Sequence, residues 1–303
     1  MSEVRSLPTV TTYPGAGDFL ARMMPLLLQE EVKYGLMLGV AQAVRETPHL
    51  YGEHDPYFAI ATDITTDGTG ESGIAAAAAM TPPYALILYS ERADPRPGLQ
   101  AIAQNLLDGG WPISGVNSWE PLSRLFAEIW SELAGVDAAV AVHERVFELR
   151  QVIHPTYSPG RLRPAVLGDL ALVTQWFEEF TREALQAVET LTPDEARRRA
   201  ERRIQQGAVY LWEDGEPVSL AGVTRPTANG ITIGPVYTPP NRRGRGYASS
   251  LVAQLSQRLL DEGRSFVTLF TDLANPTSNR IYQNIGYRPV CDYTVFRFER
   301  RAS

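Results

Sequence analysis

Pro235-Val236-Tyr237-Thr238-Pro239-Pro240-Asn241-Arg242-Arg243-Gly244-Arg245-Gly246-Tyr247-Ala248 is the stretch whose reading decides the fold. The apolar run Ile231 to Tyr237 that leads into it predicts a strand. Pro239 and Pro240 stop that strand, because proline offers the ladder no N–H. After Gly244-Arg245-Gly246 the spacing of Tyr247, Leu251, Val252, Leu255, Leu259 and Leu260 predicts an amphipathic helix. A glycine turn at a helix start leaves backbone N–H groups unpaired, at the positive end of the helix dipole. Such a mouth is a seat for phosphate oxygens. Arg242, Arg243 and Arg245 add charge at the same spot, so the local physics points to a pyrophosphate.

Gly-x-Gly before a helix is common by itself, and three other readings of it compete. It is not a Walker loop, because the Lys-Ser/Thr ending is missing. It is not the three-glycine dinucleotide fingerprint, because Ser249 stands where the third glycine would. Arg-Gly-Arg-Gly-Tyr could also belong to an RNA-binding tail. A flexible basic tail, however, would not lie between an apolar strand and an amphipathic helix.

A chain of 303 residues holds two domains of ordinary size. Apolar residues make up 44% and charged residues 21%, the balance of a soluble globular protein. Apolar segments such as Ile74 to Met80 are too short to span a bilayer, so no membrane partner is expected. Met1-Ser2-Glu3-Val4-Arg5 lacks the basic start and apolar core of a secretory signal, and a cytoplasmic location is expected. The single cysteine, Cys291, excludes an intrachain disulfide and a cysteine metal cluster. His49, His54, His143 and His154 lack metal-ligand spacing, so no metal is expected. Residues 1–155 carry 9 basic and 19 acidic side chains, and residues 156–303 carry 19 and 16. The basic half is the one with the phosphate seat, while the net charge of −7 argues against nucleic acid as a partner.

Along the first half, Phe19, Met23, Leu26 and Leu27 mark one helix face within residues 8–48, and Tyr34 to Val44 continues after a glycine break. Tyr57 to Asp63, Gly73 to Met80 and Tyr84 to Tyr89 read as strands, the first two joined by the turn-rich segment 65–70. Pro97 to Leu107 and Trp119 to Leu133 read as helices, and Val140 to Arg150 as an edge strand. Pro155 to Gly160 is the best domain boundary, giving domains at 1–155 and 161–303. In the second half Leu162 to Val166 is extended and Asp169 caps a helix bearing Leu172, Val173, Trp176, Phe177 and Phe180. Thr192-Pro193-Asp194-Glu195 opens another helix, whose arginines 197–203 read as a solvated face. A hairpin, Ala208 to Glu213 with Val218 to Thr224, precedes the key strand. Phe266 to Thr271, a helix from Pro276 to Ile285 and Tyr293 to Phe298 complete the chain.

With these elements in order, residues of about 161–300 resemble the GNAT superfamily of acyl-CoA-dependent N-acetyltransferases. Asn241-Arg242-Arg243-Gly244-Arg245-Gly246 is similar to its pyrophosphate motif, with Asn241 in place of the usual Gln or Arg. Leu273-Ala274-Asn275-Pro276-Thr277-Ser278-Asn279-Arg280-Ile281-Tyr282-Gln283-Asn284-Ile285-Gly286-Tyr287 resembles its second signature, an Asn before a short helix that bears a Tyr. The resemblance implies an α/β (α+β) fold of mixed, mostly antiparallel sheets flanked by helices, with acetyl-CoA as co-substrate. It implies that the backbone at Val236, Tyr237 and Thr238 pairs with the pantetheine arm like an added strand. Gly244, Arg245, Gly246, Tyr247, Ala248 and Ser249 would then hold the pyrophosphate, with Arg242 and Arg243 beside it. Asn275 would bond the pantetheine and Tyr282 would act as general acid toward the departing thiolate. Tyr282 could instead pack its helix with Ile281 and Ile285, and Asn275 could cap it.

The expected base is missing from its usual strand, since Ile231 to Thr238 contains no carboxylate. Glu178, Glu179, Asp272 or a water chain are the substitutes. The order of elements in the first half loosely echoes that of the second, as in tandem GNAT proteins. Tyr89-Ser90-Glu91-Arg92-Ala93-Asp94-Pro95-Arg96-Pro97-Gly98, where its phosphate loop would fall, has no Gly-x-Gly. The first half therefore reads as a degenerate GNAT-like domain without a coenzyme A motif, or as an unrelated α/β domain. The expected function is acetyl transfer to a small-molecule amine or amino acid. A lysine or N-terminal protein acetyltransferase and a non-catalytic acyl-CoA sensor are the alternatives, and monomer and homodimer both remain open.

Overall fold

The computed structural model describes residues 7–52, 54–64, 72–184 and 192–301. The turn expected at 65–70 and the N-terminal segment 1–5 lie outside the described residues.

The first half runs β1 (Thr9–Tyr13), α1 (Ala16–Leu27), α2 (Gly35–Glu46), β2 (Tyr57–Ile64), β3 (Ser72–Met80), β4 (Ile87–Tyr89), α3 (Arg96–Asp108), β5 (Gly115–Trp119), α4 (Glu120–Ala134) and β6 (Val136–Leu149). The second runs β7 (Arg161–Pro164), α5 (Leu170–Ala184), α6 (Pro193–Gln205), β8 (Val209–Asp214), β9 (Glu216–Thr224), β10 (Gly230–Tyr237), α7 (Tyr247–Asp261), β11 (Phe266–Asp272), α8 (Pro276–Ile285) and β12 (Arg288–Arg300). Short 3₁₀ turns aside, both halves follow one order: strand, two helices, three strands, helix, strand, helix, strand. The echo visible in the sequence thus extends to the full order of elements. Two strands were absent from the sequence reading. Thr9–Tyr13 is short and mostly exposed, and Gly-Val-Asn-Ser-Trp at β5 carries two poor strand formers, Gly115 and Asn117.

Two compact units form: Met1–Val146 with Asp272–Ala274 and Val290–Ser303, and Phe147–Thr271 with Asn275–Pro289. The last strand, assigned by sequence to the second domain, is therefore grouped mostly with the first unit. Its pairing gives the reason. Tyr293 to Arg297 run antiparallel to Trp119 to Gly115 of β5, and Phe296 joins the core of Tyr57, Leu99, Ile102, Phe126 and Trp130. The other sheet of this unit has the order β1-β2-β3-β4, antiparallel throughout.

In the second unit β7, β8, β9 and β10 are antiparallel neighbours, and β11 joins β10 in parallel. Side-chain alternation along β8 builds two cores. Val209 and Leu211 face Val173 and Trp176 of α5 and Ala200 and Ile204 of α6. Tyr210 and Trp212 face Leu251 and Leu255 of α7 and Ile285 of α8. Thr192 closes a capping box with Glu195 at the start of α6, the helix start expected at Thr192-Pro193.

Asp169 does more than begin α5. Its carboxylate accepts from Arg163 at 2.7 and 3.0 Å and from the Val166 N–H at 2.9 Å, while Arg163 also bonds Glu213. These bonds, chiefly those from Arg163, hold the Asp169 carboxyl below its usual range. Because the folded value is depressed, the contribution is complete above the unfolded value of about 3.9 and is lost as pH falls through the folded one. Asp169→Ala is expected to cost about 1–3 kcal/mol at pH 7. Urea midpoints of wild type and variant should draw together as pH falls below about 3.9; a gap that does not shrink in acid contradicts this.

Candidate active site

A β-bulge decides what β10 presents. Thr232 and Ile233 pair with Thr224 and Val223 of β9, the register then shifts, and Val236 and Tyr237 pair with Ala221 and Leu220. An extra residue reverses the side-chain parity of the strand. Ile231 and Ile233 face the α7 side, but beyond the bulge Val236 takes that side and Tyr237 turns toward α5. Among the described residues, the parallel pairing with β11 covers only Gly230 to Thr232. The strand edge from Ile233 to Tyr237 thus lies beyond the paired stretch. Arg203, expected on a solvated helix face, instead donates to the Val223 and Gly234 carbonyls at 3.1 Å, at the bulge.

The loop that follows makes one 3₁₀ turn over Pro240–Arg242 and enters α7 through Gly244 and Gly246, with φ of 76° and 77°. Only glycine takes that left-handed conformation without strain. Gly246 is the N-cap of α7, with no side chain to satisfy the N–H groups of the first turn. Gly244, Arg245 and Gly246 are exposed, Ala248 and Ser249 half-buried, and Tyr247 is buried with its hydroxyl donating to Asp214 at 2.7 Å. A Cβ on Gly244 would meet nothing within 4 Å. Ser158, which no sequence signal singled out, fixes the loop from outside: its Oγ donates to the Arg245 carbonyl at 2.7 Å and its N–H to Ser250 Oγ at 2.8 Å. The mouth of α7 is therefore an open cradle of backbone donors.

Both flanking arginines are held by carboxylates. Arg243 donates to the Thr238 carbonyl at 2.8 Å and to Glu183 at 2.6 Å, and Arg242 bonds Glu216. On the α5 face, the Tyr237 hydroxyl donates to Glu179 at 2.9 Å and to Glu183 at 3.3 Å. Burial, reinforced by these carboxylates, pushes the Tyr237 phenol well above its usual value. Here lies a cavity of about 550 Å³, lined among others by Trp176, Glu179, Glu183, Glu216, Tyr237 and Arg242. Of the three acids considered as bases, Glu179 lines it; Glu178 is exposed, and exposed Asp272 accepts from the Ala274 N–H at 2.8 Å. Trp176, Glu179 and Glu183 repeat at helical spacing. That acidic stripe beside an apolar face was the available signal for Glu183.

On α8 the two sequence-predicted residues sit differently. Asn275 is exposed and caps the helix, its Oδ1 accepting from the Ser278 N–H at 3.0 Å. Tyr282 is buried in the core that also holds Tyr247 and the half-buried Val236, with its ring 5.9 Å from that of Tyr287. Burial raises its phenol to about 12.

Among the described residues no helix is long and apolar enough to cross a membrane, and no group of three or more His, Cys, Asp or Glu could hold a metal ion. No curated protein matches the chain by sequence. Solved structures share its fold over almost its whole length. A GCN5-related N-acetyltransferase from Sphaerobacter thermophilus superposes with a TM-score of 0.64 at 17% identity, covering 98% of each chain. A GNAT-family acetyltransferase from Colwellia psychrerythraea gives 0.54 at 11%, covering 96% of this chain and 100% of its own. A tandem GNAT protein from the clavulanic acid biosynthesis pathway gives 0.57 at 11%, covering 97% and 100%. Residues 171–287, which contain the bulged strand, the glycine loop and α8, match the family model of the acetyltransferase (GNAT) family. Residues 171–287 are thus similar in sequence to the acetyltransferase (GNAT) family, and the whole chain shares the fold of these solved acetyltransferases.

Proposed function

We propose that the chain transfers the acetyl group of acetyl-CoA directly to the amine of a small molecule. The observation that carries this reading is the uncapped, glycine-entered N-terminus of α7 beside a strand whose parallel pairing stops at Thr232. N–H groups from Gly244 to Ser249 receive the diphosphate at the positive end of the helix dipole. Val236, Tyr237 and Thr238 offer backbone groups to the pantetheine amides, as an added strand would. The Asn275 side chain keeps its amide N–H groups as donors to the same arm while its carbonyl caps α8. A backbone N–H of Val236 or Tyr237 supports the oxyanion of acyl transfer; Pro235 has none to give.

Tyr282 serves as proton donor to the departing thiolate. Its raised value keeps the phenol protonated throughout the neutral range. Glu179 takes the proton of the acceptor ammonium, as the half-buried carboxylate of the cavity beside β10. The cavity volume of about 550 Å³ suits a small-molecule acceptor. Among the described residues the first half shows no second seat of this kind. At the corresponding point of the first half, α3 begins at Pro95-Arg96-Pro97 and the Asp94 carboxylate takes the Arg96 N–H at 3.2 Å. Prolines without N–H groups and a resident carboxylate disfavour phosphate there.

Free-thiol release from acetyl-CoA against a panel of amines, amino acids and lysine peptides tests the function. Release is expected with small amines, and Glu179→Gln should lower it about 100-fold. Binding without any thiol release would convert the protein into a sensor, and release with peptides alone would make it a protein acetyltransferase.

A further inference from the structure

Arg242 and Arg243 have two claims on them. Both lie beside the phosphate seat proposed above, yet both are bonded to carboxylates at the neighbouring cavity, Arg242 to Glu216 and Arg243 to Glu183. These pairs are open to water: the Arg243 and Glu183 side chains are 48% and 43% exposed, and Arg242 and Glu216 33% and 60%. Exposed pairs of this kind contribute little, whereas a guanidinium matches two phosphate oxygens in a forked, charge-assisted geometry. Phosphate should therefore win.

The consequence falls on the cavity. Its lining carries three carboxylates, Glu179, Glu183 and Glu216, and two guanidinium groups, Arg182 and Arg242. Glu179 and Glu183 converge on one atom, the Tyr237 hydroxyl, and Trp176 adds an aromatic wall. Once Arg242 and Arg243 leave, the three carboxylates share the described lining with Arg182. An aromatic wall with convergent carboxylates suits an organic cation.

We propose that cofactor binding draws Arg242 and Arg243 from Glu216 and Glu183 onto the diphosphate, and that the cavity so uncovered receives an acceptor amine bearing a second positive charge. The proposal rests on the acetyl-CoA reading above and names the substrate class and coupling of that site. By linkage, the cationic acceptor strengthens cofactor binding by the factor with which the cofactor strengthens its own.

Calorimetric titration tests both halves. Glu183→Gln and Glu216→Gln should each tighten coenzyme A by about 2- to 5-fold, by removing a competitor for an arginine. Glu178→Gln, an exposed acid on the same helix outside that cavity, is the control for general charge and should change nothing. Saturating coenzyme A should tighten 1,4-diaminobutane by about 5-fold or more and leave butylamine nearly unaffected. If coenzyme A binds wild type but the two Gln variants behave like Glu178→Gln, or the diamine gains nothing over butylamine, this proposal falls alone. If wild type does not bind coenzyme A, the acetyl-CoA reading falls, and the exchange with it.

Discussion

Gly246→Val is expected to abolish coenzyme A binding while leaving the fold intact, a loss on the order of 100-fold or more in affinity. Two effects combine. Valine at φ 77° is strained by about 1–3 kcal/mol. Its Cβ would also lie 2.7 Å from Ser158 Oγ, the group that holds the Arg245 carbonyl. The loop must shift to relieve both, and the donors at the mouth of α7 shift with it. Since every 1.4 kcal/mol is tenfold, strain and lost phosphate bonds together reach the expected loss. Gly244→Ala separates conformation from space, because its Cβ meets nothing within 4 Å. It should weaken binding by about tenfold at most. Calorimetry with a thermal melt on each variant checks this; a well-folded Gly246→Val that binds like wild type would refute the assignment.

Tyr282→Phe is the second large effect. Removing the hydroxyl of the proposed proton donor should lower kcat by about 100-fold while coenzyme A affinity stays within about twofold. The ring remains, so the contact with Tyr287 and the core around Ile285 are kept. A residue that only packed would give the opposite pattern, with unchanged kcat. Because the buried phenol sits at about 12, no alkaline fall in rate below about pH 10 should trace to Tyr282.

The parts of this protein that follow local rules were readable in its sequence. Proline stops, the glycine entry to α7, the Thr192-Pro193 helix start and the Asn275-Pro276 helix start all depend on neighbours a few residues apart. The parts that depend on long-range pairing were not. Thr9–Tyr13 is a strand because it lies antiparallel to β2, and the last strand from Val290 onward joins the first unit because β5 pairs with it. The bulge after Ile233 is a register shift against β9, and it alone turns Tyr237 toward Glu179 and Glu183. Hence the glycine entry to α7 was legible in the sequence, but the carboxylate partners of its arginines were not. Glu216 and Glu183 lie 26 and 60 residues from the arginines they bond, beyond the reach of any periodicity.

A crystal structure with coenzyme A bound tests the central claim most directly. The diphosphate oxygens should lie about 3 Å from backbone N–H groups within Gly244 to Ser249, at the mouth of α7. A diphosphate seated elsewhere, with those N–H groups facing only solvent, would contradict it.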